Sequence, residues 1–141
     1  MIKCETIGMY EVSKNNPVLT SQTDTENYTF ITNNGSVYLI DTIVGGDDYY
    51  KRDCTIPAGE FMRGFRVADW EGQKLVIDEA HIAYGSGESY ASITAGTTLL
   101  TIDSNGKLAI DDSAPDSGVY FKVTDKVTLN GKAVKALVMV A

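Results

Sequence analysis

"TIDSNGKLAI", residues Thr101 to Ile110, carries two short apolar runs on either side of Asp103-Ser104-Asn105-Gly106. Asn and Gly tolerate positive φ, so Asn-Gly between alternating apolar residues is a strong hairpin signal. Two registers compete. A two-residue loop sets Asp103 against Leu108 and Thr101 against Ile110, which puts polar groups opposite the apolar side of the partner strand. A three-residue loop, a type I turn followed by Gly106 in a left-handed bulge, pairs Asp103 with Lys107, Ile102 with Leu108 and Leu100 with Ile110. Four aliphatic side chains then share one face, and this register is preferred. The tetrad also looks like the opening of a calcium loop, but the further oxygen ligands and the closing Glu are missing, so it reads as a corner.

The same grammar runs through the rest of the chain. Val, Ile, Thr, Tyr and Phe recur in runs of four to eight between Gly, Asn, Asp and Pro, which is a strand pattern. Two further Asn-Gly pairs, Asn34-Gly35 and Asn130-Gly131, mark hairpins. In the second, a two-residue loop places Val127 opposite Val134, and the apolar run Ala136 to Val140 predicts a central strand covered on both faces. "GVYFKV", Gly118 to Val123, alternates and suits a neighbouring strand with one wet face. "TIPAGEF" from Thr55 and "SITAGTTL" from Ser92 share an Ile-x-Ala-Gly phrase, one corner used twice with Gly59 and Gly96 supplying the bend. Helical signal is confined to a turn or two at Gly87 to Thr94 and around Trp70. The expected fold is mainly β: a single compact β-barrel or β-sandwich domain, tulip-like, with hairpins and at most one or two short helices. It takes in residues 1–141, and the polar residues 1–27 form a more loosely attached N-terminal arm.

Composition narrows the partners. With 12 Lys and Arg against 19 Asp and Glu, the net charge of −7 opposes nucleic acid and anionic membrane, which need clustered cations. The N-terminus has no apolar h-region, and no run approaches the roughly 20 residues that span a bilayer. Cys4 and Cys54 are too few for a disulfide framework. Reduced thiols of a cytosolically made protein are favoured, with a single bridge left open.

Candidate chemistry is sparse. Asp47-Asp48 and Asp111-Asp112, the latter near Asp116, could collect a hard cation only with further ligands, and no metal or cofactor is expected. His81 is the sole histidine, so any Ser-His-Asp or Cys-His device must pass through it. "GSGES", Gly85 to Ser89, misses the nucleophile-elbow pattern and is too short for a phosphate loop. A non-enzyme is expected. Tyrosine is abundant, eight residues against four Phe, and Tyr49, Tyr50 and Arg52 form one candidate contact strip for a protein partner. Arg63 and Phe65, in "EFMRGFR", form a second, with Phe61 on the same face unless a bulge at Gly64 breaks it.

The runs "TIPAGEFMRGFRVADWEGQKLVID", "ITAGTTLLTIDSNGKLAI" and "SGVYFKVTDKVTLNGKAVKALVMV" resemble the small proteins that tailed phages and prophages of Gram-positive bacteria encode close to the major capsid protein. The resemblance covers most of the chain and implies a virion structural protein, made in the host cytoplasm, of the head decoration or cement type. Its implied partner is the major capsid protein, on the exterior of the capsid, as a homotrimer or other homo-oligomer. It carries over no catalytic residues. A carbohydrate-binding or adhesin-like module, with Tyr and Trp70 stacking on sugars, is one alternative. Another virion component of tail, neck or head fibre is a second, and a hydrolase built on His81 is a distant third.

Overall fold

The computed structural model describes residues 2–4, 18–41, 54–129 and 131–141. The chain is mainly β, with curled antiparallel sheets that form a half-barrel. The described strands are β1 (Ile2–Cys4), β2 (Val18–Thr20), β3 (Thr25–Glu26), β4 (Phe30–Asn33), β5 (Ser36–Ile40) and β6 (Thr55–Ile56). They continue with β7 (Phe61–Arg66), β8 (Lys74–Asp78), β9 (Leu99–Ile102), β10 (Leu108–Asp111), β11 (Val119–Thr128) and β12 (Lys132–Val140). A six-stranded sheet runs β1-β8-β12-β11-β9-β10, a four-stranded sheet runs β2-β7-β5-β4, and β3 pairs with β6. Three 3-10 turns, Val67–Trp70, Glu79–His81 and Tyr90–Ser92, supply the helical content among the described residues. Two of them fall at the two places where the sequence suggests helix.

The β9–β10 hairpin takes the three-residue register. Ile102 lies opposite Leu108 and Leu100 opposite Ile110. The Asp103 N–H donates to the Lys107 carbonyl at 2.8 Å, and Gly106 sits at φ 76°. Leu100 and Leu108 are fully buried, with Ile102 and Ile110 packed against the same core. The Asp103 carboxylate accepts from the N–H groups of Asn105 (2.8 Å) and Lys107 (3.0 Å), which holds the turn closed from inside. The β4–β5 hairpin pairs Asn33 with Ser36 across Asn34 (φ 50°) and Gly35 (φ 78°), the two positive φ angles of a type I′ turn. The repeated corner is also real. In both copies the glycine lies near φ +90°, the residue after it bonds back three positions, and the glycine N–H donates at 2.8 Å to a carbonyl of another segment, Ser21 for Gly59 and Val123 for Gly96.

The last hairpin differs from the expectation. Thr128 pairs with Lys132, so the loop is three residues long and Val127 faces Ala133, not Val134. A bulge at Thr124 compensates. Without it Val123 would face Leu137, whereas with it Val123 faces Ala136 and Phe121 faces Val138, so the alternating apolar residues of both strands reach the same core. β12 is central, between β8 and β11, as its composition implies. Its second face is not sealed, however. Leu137 and Met139 are half-buried opposite Lys122 and Tyr120, whose side chains combine an apolar body with a polar tip.

One hydrophobic cluster takes residues from both large sheets: Phe30, Leu39 and Phe65 from the four-stranded one, Leu75, Leu100, Phe121 and Val138 among others from the six-stranded one. Phe30 meets Phe121 with ring centroids 5.5 Å apart, and Trp70, on its 3-10 turn, stacks on Phe65 at 5.8 Å. Each such side chain contributes about 1.5–3 kcal/mol by leaving water. The Trp70 Nε1 group is buried without a hydrogen-bond partner, which offsets about 1–3 kcal/mol of that gain. A smaller cluster, Ile40, Ile56 and Met62 with Leu19 and Ile31, covers the other face of the four-stranded sheet. At the N-terminus, Ile2 is buried in the main cluster and β2 pairs with β7, while residues 5–17 of the expected arm lie outside the described residues.

Gly106 joins the two sheets. Its carbonyl accepts from the Phe30 N–H at 2.9 Å, and a Cβ at this position would come within 2.5 Å of the Phe30 oxygen and 2.4 Å of Thr29 Cγ2. Gly87 has the same sign of φ, but its Cβ would meet nothing within 4 Å. Gly87→Ala is therefore expected to cost about 1 kcal/mol from backbone strain alone, and Gly106→Ala about 3 kcal/mol or more from strain plus backbone overlap. Urea unfolding of the two variants measures the difference.

Candidate functional site

The residues singled out from sequence separate in the fold. Tyr49, Tyr50, Arg52 and the pair Asp47-Asp48 lie outside the described residues. Arg63 is exposed on β7, but Phe65 is a core residue with no exposed surface, and the correction has a simple cause. Phe61, Arg63 and Phe65 alternate onto one face of β7, as read, yet the main core reaches only the Phe65 end, where Trp70 covers it. At the other end Phe61 is 71% exposed, opposite the exposed Thr20 of β2. The exposed aromatic of this strip is thus Phe61.

Trp70 is likewise fully buried and cannot stack on a sugar. Gly85 to Ser89 is a turn in which the Gly85 N–H donates to Glu88 Oε1 at 2.6 Å. Asp111 is tied locally: its carboxylate accepts from the Ser113 N–H and the Thr101 hydroxyl. No group of three or more His, Cys, Asp or Glu side chains among the described residues is placed to hold a metal ion.

The concave surface of the chain lies elsewhere. A groove of about 640 Å³ runs between β3 and β4 on one side and the β9–β10 turn on the other. A second hollow of about 330 Å³, lined by Asn27, Cys54, Thr55, Ala80 and His81, continues it. The two adjoin as the two parts of a trench: both are lined by Glu26 and Lys107, whose carboxylate and ammonium lie 3.6 Å apart between them. In its second part, Cys54 carries a reduced thiol and His81 sets its ring edge-on to buried Tyr28, centroids 5.4 Å apart. His81 is therefore a wall residue packed on an aromatic.

Hydrogen bonds cross-tie one wall of the trench. Ser21 Oγ bonds the Thr23 carbonyl and lies 3.0 Å from Thr25 Oγ1, which itself donates to the Thr23 carbonyl, and the Ala58 N–H donates to Asp24 Oδ1 at 3.0 Å. Among the described residues, the lining includes the carboxylates of Asp24, Glu26 and Asp103 against one ammonium, that of Lys107. Sequence reading missed this site because Asp24 and Glu26 are nearly eighty positions from the turn they face. The one local signal was the Asp103–Lys107 pairing, and it speaks only for the turn.

A separate polar cluster sits beside β11 and β12. The Tyr84 hydroxyl donates to Glu79 Oε1 at 3.0 Å, and the Tyr90 hydroxyl donates to the Ala133 carbonyl at 2.7 Å. The ammonium groups of Lys126 and Lys132 lie 4.6 and 5.6 Å from the centre of the Tyr90 ring. Burial, reinforced by the hydrogen bond and charge of Glu79, pushes the Tyr84 phenol well above its ordinary value. Burial followed by the Glu79 charge raises Tyr90 as well.

No protein-family model, no curated protein and no solved structure matches this chain.

The raised Tyr84 phenol sets an alkaline signature. Above about pH 10 the unfolded chain releases that proton while the folded chain keeps it, so this stabilising contribution is lost as pH rises. Tyr84→Phe is expected to cost about 1 kcal/mol near neutrality, through the lost hydrogen bond. The gap to the parent should narrow in urea melts taken from pH 9 to 11.

Proposed function

We propose that this protein is a structural component of a phage or prophage virion, of the head decoration type, that binds the outside of the assembled shell and stabilises it. The observation that carries the proposal is the outer end of β7. There Phe61, 71% exposed, and exposed Arg63 share a face with Thr20, a rigid aromatic and guanidinium strip on a sheet. Phe supplies contact area at little entropic cost, Arg pairs with carboxylates, and both suit a protein partner. The segments that carry the family resemblance, 55–78, 93–110 and 117–140, are those that build β6–β8, β9–β10 and β11–β12, the body that holds this strip in place. An acidic surface fits a position on the outside of a shell, away from packaged nucleic acid.

The action is linkage. A protein that binds the closed lattice and not its separated subunits stabilises the lattice by its own binding free energy, about 2.7 kcal/mol per site at a hundred times its dissociation constant. Many copies on one shell add these contributions. The carbohydrate-binding alternative loses one of its stacking groups with the burial of Trp70.

Purified protein mixed with undecorated shells is expected to cosediment at a fixed ratio and to raise the temperature at which shells rupture. The pair Phe61→Ala and Arg63→Ala should weaken binding at least tenfold, or about 1.4 kcal/mol. The melting temperature of the isolated Phe61→Ala single variant should hardly change, because that side chain is exposed. Shells that neither bind the protein nor gain heat resistance would refute the reading.

A further inference from the structure

We infer that the trench between β4 and the β9–β10 turn is a second binding site, and that it takes an extended, cationic segment of a partner polypeptide. Main-chain geometry is the first ground. β4 is an edge strand of the four-stranded sheet. Its Phe30 N–H points away from β5, to Gly106. Strand alternation therefore turns the N–H and C=O of Thr32 to the same outer side, where no strand follows among the described residues and where Thr32 lines the trench. An edge with open main-chain groups is a template for another chain, and β4 carries none of the lysine, proline or bulge that commonly blunts one.

Shape and charge select the occupant. An open strand edge suits an extended ligand more than a compact one. Three carboxylates against one ammonium repel phosphate and favour Lys or Arg side chains. Sugars are disfavoured, because Phe30, the one aromatic of the larger groove, is only 4% exposed and offers no stacking face. Asp24, tied to Ala58, and Asp103, tied to its own turn, are held in place before anything binds, which limits the ordering cost of association. In the reading proposed above the segment belongs to the shell protein, and to that extent the inference rests on it.

The test uses synthetic peptides and no shells, so its failure is distinct from failure of the decoration reading. A nine-residue acetylated and amidated peptide alternating Lys with Thr or Val is titrated into the isotopically labelled full chain, beside its Glu counterpart. The basic peptide is expected to shift the amide signals of Thr32, Gly106 and Lys107 and to bind at least tenfold more tightly than the acidic one. Thr32→Pro removes an outward N–H that no ladder bond uses, and should weaken binding at least fivefold. Glu26→Lys, at an exposed position, should do the same without touching the backbone. Equal binding of the two peptides, shifts confined to another surface, or unchanged affinity in both variants would overturn the inference.

Discussion

The contact of Gly106 with the Phe30 backbone and the Thr29 side chain is where the two large sheets become one structure. The Phe30 N–H bonds the Gly106 carbonyl at 2.9 Å, and no side chain fits between the two backbones. That joint brings the tip of the β9–β10 hairpin onto the edge of the four-stranded sheet. It seats Phe30 over Phe121, closes the main cluster at that end, and leaves the trench beside it as the space the hairpin does not fill. The corner at residues 103–106 thus shapes the surface while holding the fold, with Asp103 Oδ1 closing the turn from inside.

The rest of the body repeats a few devices. Positive-φ glycines turn the chain at Gly59 and Gly96, and each donates its N–H to a segment outside its own turn, so each corner is also a cross-tie. The Thr124 bulge does comparable work in register, returning Phe121 and Val123 to the core after a three-residue loop has displaced them. Side-chain packing then decides how far each sheet face is covered. The main core stops short of the outer end of β7, which leaves Phe61 in solvent while Phe65, four residues on, is sealed under Trp70.

The body presents two surfaces that fit the attachment proposed above. Its rigid exposed strip at Phe61 and Arg63 and its acidic trench differ in chemistry, one aromatic and cationic, the other carboxylate-lined with an open strand edge. A protein that ties together neighbouring units of a lattice has use for two such surfaces, since a bridge needs two contacts and simultaneous engagement multiplies weak affinities.

Local chemistry alone determined much of the architecture. The strand-rich class, the hairpin at Asn34-Gly35, the three-residue register at Asp103 to Lys107 and the paired Ile-x-Ala-Gly corners were all legible, because turn residues and period-2 alternation act over a few positions. The register of β11 and β12 was not, since a bulge at Thr124 depends on which residues the distant core accepts. The burial of Phe65 and Trp70 beside an exposed Phe61 was hidden for the same reason: alternation tells which side of a strand a residue occupies, and only the packed sheets decide whether that side is covered. The trench is wholly a tertiary product. Asp24 and Glu26 come to face Lys107 only because Gly106 docks on Phe30, a contact between segments some seventy-five residues apart that no local pattern encodes.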